Sequence, residues 1–76
     1  MKVINEREIM KIGMKERGLT QTKLAERMDT TQRNLSACMN RSRVSMEVFK
    51  EVMDALEYDV IVVDRRTGES LYRLEM

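Results

Sequence analysis

Two helix starts of one design, Thr20 and Thr31, stand eleven residues apart, which leaves room for one short helix and a tight turn between them. Threonine suits an N-cap because its hydroxyl accepts from a backbone N–H that the first helical turn leaves unpaired. Leu19, just ahead of the first cap, has the spacing to Leu24 of a hydrophobic staple, although Lys23 stands where a capping box would place an acid. Leu24, Ala25 and Met28 form the stripe this helix is expected to bury. The chain must then turn sharply at Asp29, one of the few residue types besides glycine that tolerate positive φ. From Thr31 onward Leu35, Cys38 and Met39 turn inward, and Gln32, Arg33, Ser36 and Ala37 are left outward.

The flanks carry their own punctuation. Asn5 caps a first helix with Glu6 and Glu8 in its first turn, where acids favour the dipole, and Gly18 ends it in a left-handed conformation. Ile9, Met10, Ile12 and Met14 spread around more than one face of that helix, and Gly13 predicts a close helix–helix approach. A fourth helix starts at Ser45 and places Phe49, Val52, Met53 and Leu56 at i, i+3, i+4 and i+7. The period then falls to two. "YDVIVVD" and "ESLYRLEM" flank "RRTG", which predicts a hairpin over about residues 58–75 with Gly68 in its turn. Val60 and Val62 point one way, Ile61 and Val63 the other, so both faces are apolar; one face is expected on the chain's own core and the other against a second subunit. The expected fold is mainly α: a four-helix bundle containing a helix-turn-helix, with a C-terminal β-hairpin.

Function classes fall away on simple grounds. A chain of 76 residues without proline or low-complexity sequence reads as one domain, 1–76, with little core of its own. One cysteine and no histidine leave no disulfide framework, no ordinary Cys/His zinc site and no histidine-dependent catalysis. Glu47, Glu51, Asp54, Glu57 and Asp59 lie on a helix and its exit, where so small a chain cannot desolvate a catalytic pair; they read as a solvated acidic face. Neither an enzyme nor a metal or cofactor is expected. Cys38 and the eight methionines read as adaptable apolar filler. The longest apolar run, Val60–Val63, is far short of the roughly 20 residues that span a bilayer, and no export leader opens the chain, so a cytoplasmic protein is expected.

Net charge is only +1, but it is segregated: residues 1–46 carry +5 and residues 47–76 carry −4. Seventeen consecutive residues between Asp29 and Glu47 hold no acid and include Arg33, Arg41 and Arg43. One half is thus suited to a polyanion, and the other repels it.

The run "LTQTKLAERMDTTQRNLSACMN" resembles the helix-turn-helix of the lambdoid phage repressor and Cro type, the XRE family. Leu19-Thr20-Gln21 matches the opening of the first motif helix, Leu24-Ala25 its buried pair, Thr31-Gln32 the opening of the recognition helix, and Leu35-Ser36 its aliphatic and polar positions. With flanking helices the resemblance covers about residues 5–57; Asp29 stands in place of the usual turn glycine and Thr30 where valine is common. It implies a phage-repressor-like bundle that binds double-stranded DNA as a transcriptional regulator. The C-terminal hairpin makes Cro-like dimerisation through strands the closer analogue, with Val60, Ile61, Val62, Val63, Tyr72 and Leu74 as interface residues.

The motif has a physical reading beside the resemblance. An α-helix fits the major groove and presents its N-terminal side chains to base edges. Gln32 can pair with adenine and Arg33 with guanine, Ser36 can donate or accept, and Ala37 can offer a methyl to thymine. Gln21, Thr31, Asn40, Arg41, Ser42 and Arg43 are candidates for phosphate contacts, whereas Arg65 and Arg66 read as solvated turn residues. The function expected is a dimeric repressor, phage- or bacterially encoded, reading a palindromic operator. The alternative is a protein-interaction module such as an antitoxin, with a protein partner on the hairpin. RNA binding is disfavoured, since Phe49, Tyr58 and Tyr72 make no stacking platform.

Overall fold

A computed structural model describes residues 2–76. Four helices, α1 (Glu6–Glu16), α2 (Gln21–Arg27), α3 (Gln32–Met39) and α4 (Met46–Ala55), precede two antiparallel strands, β1 (Ile61–Val63) and β2 (Ser70–Arg73). Every helix starts on the residue whose side chain can cap it. Asn5, Thr20, Thr31 and Ser45 accept from the backbone N–H of Glu8, Lys23, Asn34 and Val48 at 2.9, 3.2, 3.1 and 3.2 Å. Each such cap contributes about 1 kcal/mol.

Three of the helices end alike. Gly18, Asp29 and Glu57 take φ of 66°, 55° and 62°, and the next N–H reaches back to the carbonyls of Met14, Ala25 and Met53 at 2.9, 3.0 and 2.9 Å. This is the Schellman closure, which satisfies carbonyls that the helix end would otherwise leave open. Gly18 and Asp29 match their sequence signals. Glu57 carries none.

Met10, Met14, Leu24, Ala25, Leu35, Met39, Val52, Met53 and Leu56 form the core. α2 packs on α3, and α1 and α2 pack on α4. The expected stripes hold, with three positions less buried than expected: Met28, Cys38 and Phe49 are half-buried at the margin. Ile12 is exposed, the outer side of a helix whose apolar residues spread around it.

Gly13 lies under the end of α4. A Cβ there would sit 2.9 Å from Tyr58 Cε2 and 3.0 Å from Leu56 Cδ1, so the close approach is by side chains at the α4–β1 junction and not, as expected, by another helix. Arginines tie that junction down. Arg17 Nε donates to the Leu56 carbonyl at 2.9 Å and its Nη2 to the Glu57 carbonyl at 3.4 Å, while Arg27 Nη1 donates to the Ala55 carbonyl at 3.4 Å. Cations at a helix C-terminus also oppose the negative end of its dipole. The Arg17 guanidinium lies 4.3 Å from the centre of the Tyr58 ring, and the Tyr58 hydroxyl donates to Glu16 Oε2 at 3.1 Å. Partial desolvation and the Glu16 carboxylate raise the Tyr58 phenol above its ordinary pKa; the Arg17 cation pulls the other way.

The hairpin corrects one expectation. Neither of its faces is covered: every residue of β1 and β2 is exposed, and beside the strands Val60, Asp64 and Leu74 are half-buried. The helices already close the core among themselves, and the strands extend past it in a molecule 41 Å long and 22 Å across. Ile61 pairs with Arg73, Val62 with Tyr72 and Val63 with Ser70, which leaves Leu71 as the extra residue of a bulge. Gly68, at φ 77°, closes the turn. Residues 2–4 form no extra strand against the hairpin, and Met1 lies outside the described residues.

Candidate nucleic-acid interface

The starts of α2 and α3 lie side by side, joined by a hydrogen bond from Gln32 Nε2 to Gln21 Oε1 of 2.8 Å. Both glutamines are the first residues of their helices, so the cap chemistry that sets Thr20 and Thr31 also sets this pair. The bond uses one Nε2 hydrogen of Gln32. Its other Nε2 hydrogen and its carbonyl oxygen stay free, the donor and acceptor that match the edge of adenine. Gln21 keeps both of its own amide hydrogens for an outside acceptor.

Arg33 and Ala37 are exposed on the same helix, while Ser36 is half-buried. The Asn40 amide donates to Ser36 Oγ at 3.2 Å, so these two candidates belong to one local network at the end of α3. Thr31 Oγ1 is engaged as the cap of α3, and the hydroxyl hydrogen is what remains for another acceptor. Arg41, Ser42 and Arg43 form an exposed loop just beyond. Arg7 on α1 donates to the carbonyl of Arg41, which fixes the loop's entry and adds a cation beside it. Sequence reasoning missed Arg7, since no local pattern links residues 34 positions apart.

The electrostatics divide the helices into pairs. The first turns of α1 and α4 carry Glu6, Glu8 and Glu47, whereas those of α2 and α3 carry no acid. The positive ends of the two motif helices are therefore left unneutralised by their own side chains.

A helix-turn-helix family model matches residues 10–62, most of the chain. The chain belongs to the XRE-type helix-turn-helix family. Neither the curated proteins nor the solved structures hold a significant match. As a family member it is a DNA-binding transcription regulator, and the family is one of regulators rather than enzymes. The match runs from the middle of α1 through Val62 and ends before the return strand, so the helix-turn-helix core lies inside it and the hairpin's second half outside. Among the described residues no helix is long and apolar enough to cross a membrane.

Proposed function

We propose that this chain is a cytoplasmic, dimeric repressor, of phage or bacterial origin, that reads a palindromic operator through the major groove. The observation that carries the base-reading part is the Gln32–Gln21 pair at the starts of α2 and α3, whose first turns carry no acid. Gln32 reads adenine, held by Gln21, and Arg33 reads guanine; Ser36 and Ala37 reach the following bases. Gln21, Thr31, Asn40, Arg41, Ser42 and Arg43 bind the phosphates that set register. The hairpin residues Val60, Ile61, Val62, Val63, Tyr72 and Leu74 join two copies, which places two recognition helices about 34–36 Å apart on one DNA face. Repression is steric exclusion of polymerase.

The test is selection from a randomised duplex library at moderate salt. A recovered palindrome with half-sites one turn apart supports the reading, and enrichment of no sequence with only weak, salt-sensitive binding rejects it. Gln32→Ala should lose about 1–3 kcal/mol of discrimination at one or two base pairs while keeping non-specific affinity. A loss uniform over all sequences contradicts base readout by Gln32. The uncovered apolar hairpin also favours a second reading, an antitoxin-like module with a protein partner. A purified chain that is monomeric or aggregation-prone would bring that reading forward.

A further inference from the structure

The hairpin has two free edges, because the sheet contains two strands only among the described residues. An edge of unpaired N–H and C=O groups is a template for another strand. The two edges differ. β2 carries the bulge at Leu71, which breaks the regular spacing of its backbone groups. β1 is unbroken, and Ile61, Val62 and Val63 stand 49%, 53% and 37% exposed.

Charge lies at both ends of β1. Asp59 precedes it, and Arg65 and Arg66 follow in the turn beyond Asp64. The one ion pair of Asp59 within the described residues is to Arg73, at 3.8 Å with both side chains largely exposed, a weak hold that an intermolecular partner can replace. An antiparallel strand pair about a two-fold axis brings the start of one strand to the end of the other, so an acid before β1 and arginines after it are complementary to a second copy.

Resting on the dimer reading above, we infer that a second copy of this chain pairs with the free edge of β1 in the antiparallel register centred on Val62. Val62 then faces its own counterpart and Ile61 faces Val63 of the partner subunit. Asp59 comes alongside Arg65 of the partner subunit at both ends. The neighbouring registers are worse. Val60 and Asp64 turn their backbone groups to the return strand, so Ile61 and Val63 offer theirs outward and the neighbouring registers lie two residues away. The register centred on Ile61 sets Asp59 against Val63, and the one centred on Val63 sets Val62 against Asp64 and Ile61 against Arg65, which opposes apolar to charged groups. Only the Val62 register matches apolar to apolar in the middle and acid to base at the ends. Val62 and Tyr72 share a face of the hairpin, so the same register joins four side chains into one apolar strip across the dimer.

The full-length chain with Cys38→Ser removes the native thiol, and Val62→Cys or Tyr72→Cys then adds one at the centre of either strand. Opposed Cα atoms in an antiparallel pair lie about 4.5–5.5 Å apart, within the span a disulfide bridges. Mild oxidation should therefore give covalent dimer from Val62→Cys and none from Tyr72→Cys. Sedimentation should show Asp59→Arg weakening self-association about tenfold, and Asp59→Arg with Arg65→Asp restoring it. A dimeric chain that crosslinks through Tyr72→Cys, or through neither position, overturns this register and leaves the dimer reading standing. A wild-type chain that is monomeric at every concentration overturns both.

Discussion

Between Glu6 and Leu56 the chain sinks Met10, Leu24, Leu35, Met39, Val52 and Leu56 to 2% exposure or less, whereas between Ile61 and Arg73 every strand residue stays open. Both stretches are rich in apolar residues, so composition does not separate them. What separates them is the partner. Each bundle residue has its neighbours within the same chain, and burying one such side chain contributes about 1.5–3 kcal/mol. A two-stranded hairpin on its own is marginal at best, and among residues 60–74 of this one Val60 packs against the bundle core. A substitution in the bundle should therefore act through folding, and one in the hairpin through association.

The largest test of that contrast is Leu24→Ala. It removes a fully buried side chain and should cost about 3–4 kcal/mol. Thermal unfolding followed by circular dichroism should then fall by more than about 10 °C, while Val62→Ala at low concentration shifts stability by no more than about 0.5 kcal/mol. Equal effects would erase the distinction. Next, Ile61→Arg or Val63→Arg should leave the melting of the monomer unchanged yet weaken operator binding about 100-fold, since two linked reading heads become independent. Operator titration beside sedimentation checks this; an unchanged oligomer with unchanged binding removes the hairpin from the interface.

Smaller effects probe the junction of the two regions. Gly13→Ala gains helix propensity, but its methyl meets Leu56, which is fully buried, and Tyr58. The net expected is a loss of about 1 kcal/mol, because overpacking costs about 1–3 kcal/mol against a propensity gain of about 1 kcal/mol. A more stable variant would mean that the Tyr58 ring simply swings away. The smallest effect is Tyr58→Phe, visible in alkali. The phenol holds its proton more tightly in the folded chain, so its contribution is complete below its ordinary pKa of 10.0 and is lost as pH rises through the raised folded value. Denaturation midpoints measured from pH 8 upward should fall less steeply in the phenylalanine variant.

How much was legible follows from how local each signal is. Asn5, Thr20, Thr31 and Ser45 mark their helices because a cap needs only residues three positions away. Gly18 and Asp29 mark two ends for the same reason. Glu57 takes the same left-handed conformation with no local reason; what accompanies it is Arg17, forty positions earlier in sequence, donating to its carbonyl. The period-two pattern from Val60 gave two apolar faces correctly, but periodicity carries no information on what covers a face, and the expectation that the bundle would cover one was wrong. In the candidate interface the exposure of Gln32, Arg33 and Ala37 was readable from helical spacing, whereas Ser36 is half-buried. The Gln32–Gln21 bond and the Arg7–Arg41 contact were not readable, since each depends on how separate helices come together.

Arg17 joins the two regions with one side chain, holding the end of α4 by its donors and the Tyr58 ring by its face. In a pair of copies coupled through their hairpins, the junction around that contact is a fulcrum and the bundle a lever about 20 Å long, twice the radius expected of so small a unit. A tilt of about 10° at the fulcrum carries the recognition helix about 3.5 Å, close to the rise of one base pair. The stiffness of that junction, set by Arg17 and Arg27, the Tyr58–Glu16 hydrogen bond and the packing of Val60, would then decide whether such a pair tolerates operators one base pair longer or shorter, or insists on a single length.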